Sequence, residues 1–211
     1  MKITRTILLA AVALISISAL AQDRFELYGD YSYLHFKPTL AGLDTRSFNG
    51  GGGGATLYFL KIFGIKADFQ GYGSTNFNWT YNGPSVNPHG GTIPVGTYTT
   101  QGDMFTYLFG PVVRIPIPKV RPFGEALFGA SQTNAYTNLG NAINNSGGSV
   151  TVGTQHPFTM ALGAGLDVDV HKHLALRLGE FDYVLSRYSN PLTSTGSQNN
   201  FRYCGGLVFK L

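Results

Sequence analysis

The chain has 211 residues, of which 28 are glycine and only 12% are charged, against about 25% charged in ordinary soluble domains. Its formal charge is +4, too weak and too scattered for a basic nucleic-acid face, so no nucleic-acid partner is expected. A surface so poor in charge must meet something other than water.

The first stretch, MKITRTILLAAVALISISALAQ, has the layout of a secretory signal. Lys2 and Arg5 form a positive n-region, Ile7 to Ile17 an apolar centre, and Ala19-Leu20-Ala21 a small-residue cleavage site. The apolar run is shorter than the roughly 20 residues a spanning helix needs. The expected division is a signal peptide over 1–21 and one mature domain over 22–211, carried across the inner membrane. No later run is long and apolar enough for a transmembrane helix. In lipid, closed β-structure is then the remaining way to satisfy the backbone.

The first β signal is at Phe25 to Phe36: Phe25, Leu27, Gly29, Tyr31 and Tyr33 fall on one face, Glu26, Tyr28, Asp30 and Ser32 on the other. At Gly50 to Leu60, Ala55, Leu57 and Phe59 oppose Gly54, Thr56 and Tyr58. At Gly64 to Gly73, Ile65, Ala67 and Phe69 oppose Lys66, Asp68 and Gln70. Further strands are expected at Gly102 to Arg114, Val120 to Ser131, Pro157 to Val170, Leu174 to Ser186 and Asn200 to Leu211. Eight strands of this length suit an all-β, eight-stranded antiparallel up-and-down transmembrane barrel.

The connections alternate in length. Those at 61–63, 115–119 and 171–173 are short; those at about 37–49, 74–101, 132–156 and 187–199 are long and rich in Gly, Asn, Ser, Thr and Pro. With the first strand running outward, the short turns are periplasmic and the long loops extracellular, as in outer-membrane barrels. A soluble barrel has no reason to sort its loops this way.

Lipid penalises charge, so the charged faces are expected to point inward. Glu26, Lys66, Asp68, Arg114, Glu125, Asp167, Arg177 and Arg202 then form a polar plug of four acids and four bases. An eight-stranded barrel is just wide enough for side chains to fill it, which argues against an open channel. Outside, Phe105, Tyr107 and Phe109, then Phe158, Met160, Leu162 and Leu166, then Phe201, Tyr203, Leu207 and Phe209 meet lipid. Inward Gly163 and Gly165 either leave room for opposing side chains or ease coiling. Glu180 and Asp182 have the opposite parity to Arg177, which calls for a β-bulge near Gly179. Pro111 and Pro122 sit where each removes a ladder donor, so strand ends or irregularities are expected there.

The motifs that could carry chemistry are weak. Gly50 to Ala55 matches G-x-G-x-x-A but opens a strand, not a helix, and gives no dinucleotide site. His171-Lys172-His173 lacks a carboxylate or cysteine to complete a zinc set. Cys204, the one cysteine, reads as a small inward-facing residue. There is no nucleophile elbow; His35 and His156, at the outer ends of strands 1 and 6, are the only rim histidines, with no recognisable partner set. Phe77, Trp79, Tyr81 and Tyr98 in the long loops suit either surface recognition of a protein or glycan or packing onto the rim, and packing is preferred. No cofactor, metal or catalytic residue is assigned.

Several segments together resemble the OmpA-like outer-membrane β-barrel family: FELYGDYSYL at 25–34, GIKADF at 64–69, YLFGP at 107–111, RPF at 121–123 with ALFG at 126–129, and LGAGLD at 162–167. The resemblance implies the eight-stranded transmembrane domain, without the family's peptidoglycan-binding domain, in the outer membrane of a Gram-negative cell. The end Gly206-Leu207-Val208-Phe209-Lys210-Leu211 is similar to the signal read by the barrel-assembly machinery, with Gly206, Phe209 and Leu211 in the signal positions. The family pattern closes on Phe, whereas Leu211 stands here. The resemblance also implies outer-membrane lipid and periplasmic chaperones as partners. The reading is a non-enzymatic barrel with a structural or surface-interaction role. The alternatives are a lipid A- or protein-modifying barrel enzyme, a narrow porin, and a soluble lipocalin-like carrier, which would need apolar residues inside.

Overall fold

The computed structural model of the chain describes residues 24–38, 40, 42–83, 91–153, 155–190 and 193–211, with backbone alone at 189, 190 and 193–195. The expected signal peptide over 1–21 lies outside the described residues. Eight strands form one closed antiparallel barrel: β1 (Phe25–Phe36), β2 (Arg46–Tyr58), β3 (Phe63–Tyr81), β4 (Gly96–Arg114), β5 (Val120–Thr133), β6 (Phe158–His171), β7 (Leu174–Asn190) and β8 (Thr193–Lys210). Each strand pairs with its sequence neighbours, and β1 closes on β8 from Glu26↔Lys210 to His35↔Phe201. Closure leaves no edge strand.

The expected strand centres are all present, and the short connections lie at one end, here called the turn end. The opposite end departs from expectation. Of the segment read as a 74–101 loop, Ser74 to Tyr81 belongs to β3 and Gly96 to Gln101 to β4, and they pair from Thr75↔Gly102 to Tyr81↔Gly96. Likewise β7 runs on to Asn190 and β8 starts at Thr193, where a 187–199 loop was expected, and β2 starts at Arg46, inside the expected 37–49 loop. This extended end is mostly strand. The 132–156 segment contains a helix, α1 (Ala135–Asn145), whose Ala135, Tyr136, Leu139, Gly140 and Ile143 form one buried face.

The outer surface of the barrel explains the low charge content. Ile65 is 58% exposed, and Leu27, Leu57, Phe69, Phe105, Phe109, Phe128, Phe158, Leu162, Phe181, Phe201, Leu207 and Phe209 are exposed with it. Tyr31 donates to Asn49 Oδ1 at 2.5 Å and Tyr183 to Asn199 Oδ1 at 2.6 Å, hydroxyls tethered at the upper margin of the belt as an interfacial girdle requires. Beyond that margin the pattern inverts. Asn76, Asn78, Thr80, Thr97, Thr99 and Gln101 point out, while Phe77, Trp79 and Tyr98 are buried inside. The same period-two alternation therefore serves lipid below and water above.

One irregularity falls where parity required it, and further register shifts lie at Tyr72/Thr75, Asp169/His171 and Tyr188/Asn190. In β7, Leu166 pairs with Gly179 but Asp167 with Arg177, and the β7–β8 ladder jumps between Arg177 and Glu180. The bulge at Leu178–Gly179 brings Arg177, Glu180 and Asp182 to the same, inner, side. Deleting Gly179 should therefore yield a regular strand with every other side chain on its present face. A folded barrel, seen as a heat-dependent gel shift, is expected for that deletion. Deleting Cys204 flips one part of β8 against the other and should abolish the shift. Pro111 pairs with Ile65 on the β3 side, while the β4–β5 ladder omits Gly110 and Pro111 without changing register. Pro122 lies where β4 has ended, and its carbonyl accepts from Ile115 N at 2.8 Å.

Candidate functional site

The barrel interior holds nearly all the buried polar chemistry, and it is stacked in layers. Nearest the turn end, Arg114 Nη1 donates to Glu26 Oε1 at 2.7 Å, and Arg121 Nη1 donates to the same oxygen. Arg121 Nε lies 3.0 Å from Asp169 Oδ1, and Lys210 Nζ lies 2.9 Å from it. The Arg114 guanidinium stacks 3.7 Å above the Tyr58 ring, a cation–π contact in which flat ring and flat cation pack together.

The middle layer is a continuous charge network across β3, β5, β6, β7 and β8. Lys66 Nζ donates to Glu125 Oε2 at 2.8 Å and Glu180 Oε2 at 2.7 Å. Arg177 donates to Glu180 Oε2 at 2.6 Å and to Asp167 Oδ1 at 3.0 Å. Arg202 donates to Asp68 Oδ2 at 2.6 Å and Asp182 Oδ2 at 2.7 Å, and its Nη2 stands 3.4 Å from Glu180 Oε1. Tyr28 and Gln70 also donate to Asp68 Oδ1, at 2.8 and 3.1 Å. The rings of Tyr28 and Phe123 lie 4.7 and 4.6 Å from the Arg177 guanidinium. Buried charges persist because each is paired and hydrogen-bonded; isolated ones would be prohibitive.

Glycine makes room for these large side chains. A Cβ at Gly50 would run into the Gly71 carbonyl oxygen and lie 2.9 Å from the Tyr72 ring, and one at Gly54 would run into the Ala67 carbonyl oxygen and lie 2.6 Å from the Tyr28 hydroxyl. Gly163 and Gly165 likewise face the Asp182 carboxylate and the Phe123 ring, closer than any Cβ could stand. The space-making reading of those glycines therefore holds. The Gly50–Gly54 run is interior β2, consistent with its exclusion as a dinucleotide loop.

Above the charges comes a hydroxyl layer. Thr159 Oγ1 donates to Ser131 Oγ at 2.8 Å and stands 2.9 Å from Ser186 Oγ; Ser32 Oγ stands 2.9 Å from Tyr72 Oη and accepts from Cys204 Sγ at 3.3 Å. Cys204 is buried and inward-facing. The top of the lumen is apolar: Leu34, Phe36, Phe48, Phe77, Trp79, Met104, Tyr136, Leu139, Ile143 and Tyr188 form one buried cluster roofed by α1. A uniformly polar interior was expected, and this half corrects it. The extension stands in water, where burial favours apolar side chains inside.

The structure thus brings all eight sequence-derived interior charges, Glu26, Lys66, Asp68, Arg114, Glu125, Asp167, Arg177 and Arg202, into the lumen. It adds Glu180, Asp182, Arg121, Asp169 and Lys210. Arg121 and Lys210 share inward parity with Phe123 and Val208, a signal carried by the sequence. Phe77, Trp79 and Tyr98 pack inward, the rim-packing alternative. His35 is exposed on the outer face, and His156 Nδ1 stands 3.5 Å from Tyr107 Oη on the outer wall. His173 Nδ1 lies 3.1 Å from the Lys210 carbonyl, and the His171 and His173 rings are 6.2 Å apart. Phe209 and Leu211 are exposed at the end of β8, with Gly206 paired to both Asp30 and Arg177.

No curated protein sequence matches the chain. Among solved structures it is similar to the outer-membrane protein OprG of Pseudomonas aeruginosa, with a TM-score of 0.59 and 12% identity over 90% of this chain and 97% of that one. It is also similar to the Neisserial surface protein A, with a TM-score of 0.56 and 11% identity over 89% of this chain and 97% of that one. Identities this low speak to fold alone. The family model for the outer membrane protein beta-barrel domain matches residues 7–203. With its apolar belt, closed eight-stranded sheet and charge-filled lumen, the chain belongs to that family and is an outer-membrane protein.

Proposed function

We propose that this protein is a closed, non-conducting and non-catalytic barrel with a structural or surface-interaction role. The observation that carries the reading is closure at two heights: a salt-bridge layer centred on Arg202, 1% exposed, and above it the apolar cluster of Phe36, Phe48, Phe77 and Leu139. An aqueous path would have to cross both. What the molecule offers its surroundings is then its outer surface. On the extension this surface is a polar strip of Asn76, Asn78, Thr80, Thr97, Thr99 and Gln101, a chemistry suited to a protein or glycan ligand. On the same reading, residues 1–21 are removed on export, periplasmic chaperones accompany the barrel during its biogenesis, and Gly206, Phe209 and Leu211 address the barrel-assembly machinery.

The reading requires the extension to face outward and the turn end to face the periplasm. Asn76→Cys and Lys172→Cys variants, each treated with a membrane-impermeant maleimide, test it; buried Cys204 adds no background. Asn76→Cys is expected to label on intact cells, and Lys172→Cys only after the outer membrane is permeabilised. The opposite pattern would overturn the surface role.

A further inference from the structure

The turn end contains a cavity of about 430 Å³ that the lumen network does not fill. Five cations line it, Arg24, Lys61, Arg114, Arg121 and Lys210, and the acid among its lining residues is Asp169. Within the barrel, Arg114 and Arg121 share Glu26, while Arg121 and Lys210 share Asp169. Among the described residues, Arg24 and Lys61 have no ion pair, so five cations answer to two carboxylates. Lys119 and Lys172, in the neighbouring turns, carry the same sign. Donors are left over inside the site as well: Arg121, 8% exposed, has a buried Nη2 and a buried Nε that make no hydrogen bond among the described residues, Nε lying in the ion pair with Asp169.

The remaining lining is apolar. Leu60 and Ile117 border the cavity and are exposed, and Ile62 and Ile115 are exposed beside them. A basic centre with an unspent guanidinium donor, opening beside an apolar rim, has the chemistry of a phosphate site. A phosphate oxyanion offers the several acceptors that these cations lack, and the apolar rim suits an attached hydrocarbon chain.

We propose that the turn-end cavity binds a phosphate oxyanion, carried either by an anionic phospholipid headgroup or by a soluble phosphate. Binding does not depend on which face of the membrane this end occupies. The orientation proposed above decides only which leaflet or compartment supplies the phosphate. The occupant brings negative charge to Arg24 and Lys61 and an acceptor to Arg121 at the mouth.

Two measurements on the full folded barrel in micelles test this. Native mass spectrometry with equal amounts of phosphatidylglycerol and phosphatidylcholine asks for the lipid; titration with inorganic phosphate, read by the guanidinium ¹⁵N–H signals of Arg24 and Arg121, asks for the free ion. Retention of phosphatidylglycerol about tenfold over phosphatidylcholine, lost in an Arg24→Gln/Lys61→Gln variant, assigns a lipid headgroup. Saturable shifts of both arginines with phosphate, reduced in a Lys61→Gln variant and without lipid preference, assign a soluble phosphate. Lys61 and Arg24 lie outside the lumen network, so both variants are expected to keep the heat-dependent gel shift that reports folding. No lipid preference and no saturable shift, or a preference unchanged in the double variant, overturns the proposal. The labelling pattern of Asn76→Cys and Lys172→Cys is independent of either result.

Discussion

Replacing Arg202 with Met is expected to cost about 3–5 kcal/mol of folding stability. Arg202 is wholly interior and reaches three acids on two strands: Asp68 on β3, Glu180 and Asp182 on β7. Its loss is unequal for them. Asp68 keeps the Tyr28 and Gln70 donors, and Glu180 keeps Lys66 and Arg177. Asp182 loses the one ion pair it makes among the described residues. The penalty is mostly that of a carboxylate left in a dry interior, so adding Asp182→Asn to Arg202→Met should recover part of it. Urea unfolding in detergent micelles, read by the heat-dependent gel shift, measures both variants. If the single variant were as stable as the parent, the network would contribute nothing to holding the barrel closed. If Asp182→Asn gave no recovery, the damage would lie in packing rather than in stranded charge.

Ala164→Arg tests the outer belt with a comparable effect, about 2–4 kcal/mol of destabilisation in a bilayer. Ala164 is exposed midway between Phe158 and Val170 on β6 and pairs with Gly124 and Phe181. A small side chain is lost there, so the cost is nearly that of placing a guanidinium in hydrocarbon. The matched control is Asn76→Arg on the polar face of the extension, expected to stay within about 0.5 kcal/mol of the parent. Equal effects at both sites would mean that the belt does not mark lipid.

The transmembrane part was legible because one rule governs it. Alternation in β1, β3 and β8 put Glu26, Lys66, Asp68 and Arg202 on one face, and lipid allows such a face only inside. The clash of Arg177 with Glu180 and Asp182 even located the bulge, since a single extra residue is the smallest change that reconciles their parities. The extension reads as loop in the sequence because Asn76, Asn78, Thr80, Thr97 and Thr99 are turn-forming types. Their alternation with Phe77, Trp79 and Tyr98 is a strand pattern with polarity inverted, and the inversion marks the point where strands leave lipid for water. Helix α1 was hidden by Gly140 and its asparagines, though Ala135, Leu139 and Ile143 stand at i, i+4 and i+8. The basic cavity could not be read at all, since Arg24, Lys61, Arg121 and Lys210 meet only when four distant segments close into a ring.

The most direct test of a sealed barrel is electrical. Purified, folded protein inserted into a planar lipid bilayer is expected to give no discrete conductance steps, because the Arg202 layer and the apolar cluster above it leave ions no continuous water path. Stable, reproducible steps from the folded wild-type barrel would contradict closure and return the protein to the pore-forming class.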